Sequence, residues 1–184
     1  MKRRRVLIAG ILVVGAALPA AALASGGGEH TRTLVEQVQD ATRGFRDVDA
    51  AMAAGYASAG SCVSGPEEGA MGIHYANVGL VGDGALAADT PELLVYELRN
   101  GRLRLLGVEY LVLVDDWVAA GNANPPVLVG QQFQLVNSPN RYGLPAFYEL
   151  HVWAWRENPH GAFVDWNPNV SCVEYTGEHA SSGN

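Results

Sequence analysis

The chain has 184 residues, of which 48% are hydrophobic and 17% charged, with 12 Lys plus Arg against 19 Asp plus Glu, a formal net charge of −7. That sign, and the lack of any basic stripe interleaved with aromatics, argue against nucleic acid and against anionic lipid surfaces as partners. Two cysteines are too few for a thiolate metal cluster.

Residues 1–24 combine a basic start (Lys2, Arg3, Arg4, Arg5), an apolar run from Val6 to Leu18, and the small-x-small ending Ala22-Leu23-Ala24. This reads as a secretory signal peptide cleaved after Ala24, with a twin-arginine route or an uncleaved anchor as the alternatives. Its removal leaves 8 Arg, no Lys and 19 Asp plus Glu, a net charge of −11. The expected location is secreted or periplasmic, with no stable membrane insertion after cleavage. In that setting Cys62 and Cys172 pair as a disulfide.

Residues 25–33 form a Gly-rich flexible tether, and a single domain is expected over 34–175. Leu34, Val38, Ala41, Phe45, Val48, Met52 and Tyr56 recur at helical spacing and predict one amphipathic face. Gly44 interrupts it, and Asp47 or Asp49 is placed to cap a second segment, so two helices with a kink also fit. Strands are predicted at Ile73–Val78, Leu93–Leu98, Leu103–Val114, Val127–Val136 and Phe147–Trp155. Asn100-Gly101 is a tight-hairpin signal, and Asp115–Ala120 has the character of one helical turn. Residues 176–184, small and polar, read as a disordered tail. The expected fold is α+β: an N-terminal amphipathic helix packed on a mostly antiparallel curved sheet or small open barrel, with Cys62 before the first strand joined to Cys172 after the last.

Three apolar stretches each hold one ionisable residue: His74 in Met-Gly-Ile-His-Tyr, Glu109 in Gly-Val-Glu-Tyr-Leu and His151 in Glu-Leu-His-Val-Trp. Burying such a group costs several kcal/mol unless something pairs with it, so these positions point to partners, a metal or catalysis. Strand alternation places Glu109 on a side with Leu103, Leu105, Gly107, Leu111 and Leu113, and His151 on a side with Trp153 and Trp155. His74, Glu109 and His151, with Glu97 as a further candidate, make a ligand set for Zn, Mn, Fe or Cu. The plainer alternative is polar stitching of the core, for instance Glu109 paired with Arg99 or Arg104. Trp153, Trp155 and Tyr75 are candidates for an aromatic pocket that takes a small molecule, against ordinary core packing. His30 and His179 fall near the termini, and His160 in Asn-Pro-His-Gly reads as a turn residue. No Gly-x-Ser-x-Gly elbow, phosphate loop or dinucleotide fingerprint is present.

The motifs Gly69-Ala70-Met71-Gly72-Ile73-His74-Tyr75, Gly107-Val108-Glu109-Tyr110 and Asn167-Pro168-Asn169-Val170-Ser171-Cys172, with Phe45-Arg46-Asp47-Val48-Asp49-Ala50-Ala51 before them, resemble a family of uncharacterised exported bacterial proteins. The resemblance implies export and a shared domain, but no activity. The functions in view are a metal-binding protein, with a cupin-like oxygenase or a hydrolase as the enzymatic version, and a non-enzymatic small-ligand-binding or structural cell-envelope module.

Overall fold

Thr33 opens the first helix with a reciprocal cap: its hydroxyl accepts from the Glu36 amide, and the Glu36 carboxylate accepts from the Thr33 amide. The computed structural model describes residues 32–65 and 67–177, and the backbone of 180–181. The expected signal peptide, most of the tether, His30 and His179 lie outside the described residues. Helix α1 (Leu34–Thr42) passes into a 3₁₀ turn (Arg43–Arg46), and α2 (Val48–Ala53) follows with the Asp47 carboxylate capping the Asp49 amide. The interruption at Gly44 is thus a break between two helices.

Strands β1 (Ala57–Ser64), β2 (Ala70–Ala76), β3 (Leu93–Arg99), β4 (Arg102–Leu113), β5 (Val127–Leu128), β6 (Gln131–Gln132), β7 (Gln134–Val136), β8 (Phe147–Val152) and β9 (Ala180–Ser181) follow, with short helices α3 (Val78–Val81) and α4 (Val114–Ala119). Seven of them form one curled half-barrel sheet in the order β7-β8-β4-β3-β2-β1-β9, antiparallel except for β9 on β1. The fold is α+β, as expected from the sequence. Residues 180–181 of the expected tail therefore carry backbone pairing with Val63 and Ser64.

One face of the sheet packs on the helices: Leu34, Val38, Ala51 and Tyr56 cluster with Leu94, Tyr96, Val108, Tyr110, Leu150 and Val152. Each such aliphatic side chain contributes about 1.5–3 kcal/mol on burial. Buried tyrosines find polar partners across the layers, Tyr96 donating to the Phe45 carbonyl and Tyr56 to the Pro91 carbonyl, each at 2.7 Å. The opposite face carries Leu93, Leu111 and Phe147, and the ionisable residues lie there.

Three expectations are corrected. The alternation assumed along Leu103–Val114 breaks at a bulge, because Val95 pairs with Gly107 but Tyr96 with Leu105. Leu105 thereby joins the helix-facing cluster while Leu106 joins the other, and Glu109 does not share a face with Leu105. Val127–Val136 is not one strand: Val129 (φ 48°) and Gly130 (φ 80°) reverse the chain into the β5–β6 hairpin. Strand β1 was missed because Ala57-Ser-Ala-Gly-Ser-Cys-Val-Ser has little apolar bulk, and pairing with β2 holds it instead. Cys62 consequently sits inside the first strand, where it is bonded to Cys172 with their Cα atoms 5.7 Å apart. Among the described residues no helix is long and apolar enough to cross a membrane.

Candidate metal centre

Strand β4 runs between β3 and β8, and its register sets Glu109 opposite Leu93 on one side and His151 on the other. His74 comes from β2, one strand beyond β3, where it pairs with Val95. Strands β2 and β4 are thus two inter-strand steps apart, about 10 Å in a flat sheet. The curl of the sheet and the length of the side chains close that gap. His74 Nε2 lies 3.1 Å from Glu109 Oε2, His151 Nε2 lies 3.8 Å from the same oxygen, and the two Nε2 atoms are 3.4 Å apart. The three residues are 8%, 5% and 2% exposed for His74, Glu109 and His151, so the cluster is buried.

Metal–ligand bonds of about 2.0–2.2 Å, spread at tetrahedral or octahedral angles, set neighbouring ligand atoms about 3–3.5 Å apart. The two shorter separations fall in that range and the third needs a small inward movement. His74, Glu109 and His151 therefore form a group that could hold a metal ion.

The protonation states favour the same use. Burial pushes the Glu109 carboxyl up, but the facing His151, the hydrogen bond from His74 and a hydrogen bond from Glu149 together hold it below the usual carboxylate range, ionised. Burial lowers His151 below the usual imidazole value, outweighing the attraction of Glu109, so its ring is neutral. Neutral imidazole nitrogen and ionised carboxylate oxygen are the forms that ligate. Glu149, buried and beside the Glu109 and Asp165 charges, is pushed up to about 10 and holds its proton. The ring nitrogen of His151 that points away from the cluster, Nδ1, has no hydrogen-bond partner among the described residues. It lies 3.9 Å from Asp165 Oδ1, which accepts from Gln134 Nε2 at 2.7 Å. A carboxylate behind a histidine is the usual means of fixing the ring for ligation, and here it stands slightly beyond hydrogen-bonding reach.

A cavity of about 410 Å³ opens onto His74 and Glu109, walled by Val63, Val81, Leu111, Leu144 and Phe147, with Arg141 and Tyr142 at its edge. The wall is largely apolar and would suit a small molecule next to His74 and Glu109. Tyr142 stacks edge-on against Phe147 at 6.0 Å, and burial followed by the Glu109 and Glu149 charges raises its hydroxyl above the usual tyrosine value.

Not every candidate meets at this point. Glu97 lies two residues beyond Val95 on β3, and its Oε1 accepts from the Ser171 amide at 3.1 Å. It anchors the segment leading to Cys172. Trp153 stacks on the His151 ring at 6.0 Å and donates to the Val164 carbonyl, which makes it a support of the site. Trp155 belongs to the helix-facing cluster, donating to Thr42 Oγ1 at 3.0 Å, and Tyr75 packs edge-on against Tyr96 at 5.1 Å. None of the three lines the cavity at the cluster. Neither Arg99 nor Arg104 pairs with Glu109, whose partners are the histidines. His160 sits in a turn, its amide bonded to Asn158 Oδ1.

Sequence reasoning missed Glu149, Asp165, Tyr142 and the buried Glu92, whose Oε2 accepts from the Leu111 amide at 3.2 Å. Glu149 was findable, because it precedes His151 by two on the same strand and so shares its side. Asp165 and Tyr142 arrive on loops, and no local pattern marks them. No family model, curated protein or solved structure matches the chain.

Proposed function

We propose that this is an exported metal-binding protein that carries one transition-metal ion on His74 Nε2, His151 Nε2 and Glu109, with open coordination positions facing the apolar cavity. The observation that carries the reading is the convergence of three buried ligand atoms from three strands. Two imidazoles and one carboxylate suit Zn, Mn, Fe or Cu, and such an ion would supply Lewis-acid or oxygen chemistry to a small substrate. Trp153 fixes the plane of the His151 ring, and protonated Glu149 shares its hydrogen with Glu109. Export is supported by the signal-like residues 1–24 and by the Cys62–Cys172 disulfide, a bond that persists in oxidising compartments.

A second reading has the same residues stitching β2, β4 and β8 together without an ion. The His74–Glu109 contact at 3.1 Å favours it. Calorimetric titration of chelator-stripped protein with Zn, Mn, Fe and Cu separates the two. One tight site, lost in both His74→Ala and His151→Ala while circular dichroism is retained, is the expected result. No tight site for any of the four contradicts the proposal.

A further inference from the structure

At the β3–β4 hairpin a second cleft, of about 610 Å³, is lined by Arg46, Arg99, Arg102, Arg104 and Arg156 together with Glu97 and Trp155. Five of the eight arginines beyond residue 24 thus surround one opening in a chain with 19 acidic residues. They come from three separate segments, so no basic stripe is visible along the sequence.

Their surroundings are unusual for surface cations. Arg99 and Arg102 pair directly across the hairpin, an arrangement of like charges that weakens a sheet. Arg104 pairs in register with Glu97, yet the Glu97 carboxylate turns to the Ser171 amide. The nearby Glu174 is likewise engaged, accepting from the Asn100 amide at 2.6 Å. Among the described residues the ion pairs made by arginine are those of Arg32 and Arg43 with Asp40, on α1 and outside this cleft. Arg46 lies over the Trp155 ring at 5.2 Å. Arg156 donates through Nη2 to the Asn169 carbonyl, while its buried Nε has no hydrogen-bond partner among the described residues. The fold therefore gathers five arginines here against one lining carboxylate, Glu97, which is engaged by a backbone amide, and leaves a buried donor unused.

The geometry points to a binding site for a phosphate-bearing ligand in this cleft, held by Arg99, Arg102, Arg104 and Arg156, with Arg46 and Trp155 as one wall. Guanidinium groups present planar, paired donors that match phosphate oxygens, and they stay charged at any physiological pH. A ligand with two or more phosphate charges offsets the mutual repulsion of the arginines. Arg99 and Arg102 face each other across the hairpin, and Arg104 follows Arg102 by two on the same strand. The site is separate from the His74–Glu109–His151 cluster and does not depend on the metal reading.

Calorimetric titration of chelator-stripped protein with inorganic pyrophosphate tests it, with binding to phosphatidylglycerol vesicles against phosphatidylcholine vesicles as the second arm. Removing metal keeps an ion at the histidine cluster from imitating the effect. The expected result is one saturable site whose affinity falls about tenfold or more in Arg102→Gln/Arg104→Gln and stays unchanged in Arg32→Gln/Arg43→Gln. The same variant pattern seen only on phosphatidylglycerol vesicles also supports the site and assigns its phosphate to a lipid headgroup. No saturable binding in either arm, or equal losses in the two double variants, overturns it.

Discussion

Glu109 is the residue on which the site turns, because it alone contacts both imidazoles and it alone brings charge. Replacing it with Gln keeps the volume and an acceptor for His74, but removes the anion. Losing a partner behind a ligand already lowers metal affinity 10- to 100-fold, so losing a charged ligand is expected to lower it about 100-fold or more. The metal-free stability should change by only about 1 kcal/mol, since relief of a buried charge offsets the weaker hydrogen bond. Thermal melts of stripped protein beside metal titrations check both, and lost stability with unchanged affinity would mark the trio as core stitching. The ionisable groups also set the pH response. Glu92 and Glu149 rise from 4.5 to about 8 and about 10, chiefly by burial, so the stability each contributes is complete below 4.5 and is lost as pH rises through the folded value. Glu109 and His151 are shifted down, so their contributions are present above their unfolded values and are lost on acidification. Stripped protein should therefore lose stability in urea between about pH 6.5 and 8, and Glu92→Gln should flatten that fall. A wild-type midpoint that rises over this window would contradict the assignment. His74, Glu109 and His151 were legible in the sequence because each interrupts an apolar stretch. Glu97 interrupts one too, but it meets the backbone at the other end of its strand, and position along a strand is set by tertiary register.

At the scale of elements, the centre depends on how closely β4 approaches β8. A Cβ on Gly107 would collide with the carbonyl oxygen of Val152, so only glycine permits this spacing next to the Glu109–His151 pair. Gly72 plays the matching part in β2, with φ at 111° and a Cβ that would lie 2.7 Å from the Tyr96 carbonyl. Gly107→Ala is expected to destabilise by about 2–4 kcal/mol and to weaken metal binding further by moving His151 away from Glu109. Urea unfolding and metal titration read the two effects, and an alanine variant with wild-type stability and affinity would show that the strands do not need this contact. The N-terminal helices, the β3–β4 hairpin and the strong strands were readable from periodicity and from Asn100-Gly101. The bulge beside Leu106 and the reversal at Val129-Gly130 were not, because each is a backbone choice inside a stretch whose composition favours a continuous strand.

For the whole molecule, the disulfide joins β1 to the segment after the sheet, closing a loop between residues 110 positions apart. Removing it through Cys62→Ala/Cys172→Ala should lower unfolding free energy by about 4–5 kcal/mol in the loop-entropy description. The His74–Glu109–His151 cluster, which draws on β2, β4 and β8, should survive below the new transition. Chemical denaturation with and without metal checks this, and loss of metal binding in the still-folded variant would show that the bridge holds the site itself. The pairing of two lone cysteines could be read from the expected signal peptide and an even count. The strand order β7-β8-β4-β3-β2-β1 could not, since the return of β8 to the far edge of β4 depends on loops whose path no short pattern encodes.

The most direct measurement is metal content by elemental mass spectrometry on untagged protein purified from its native source, beside His74→Ala and His151→Ala. Near-stoichiometric Zn, Mn, Fe or Cu in the wild type, absent from both variants while they stay folded, is the expected result. A metal-free wild type that takes up none of the four when they are added would contradict the metal centre.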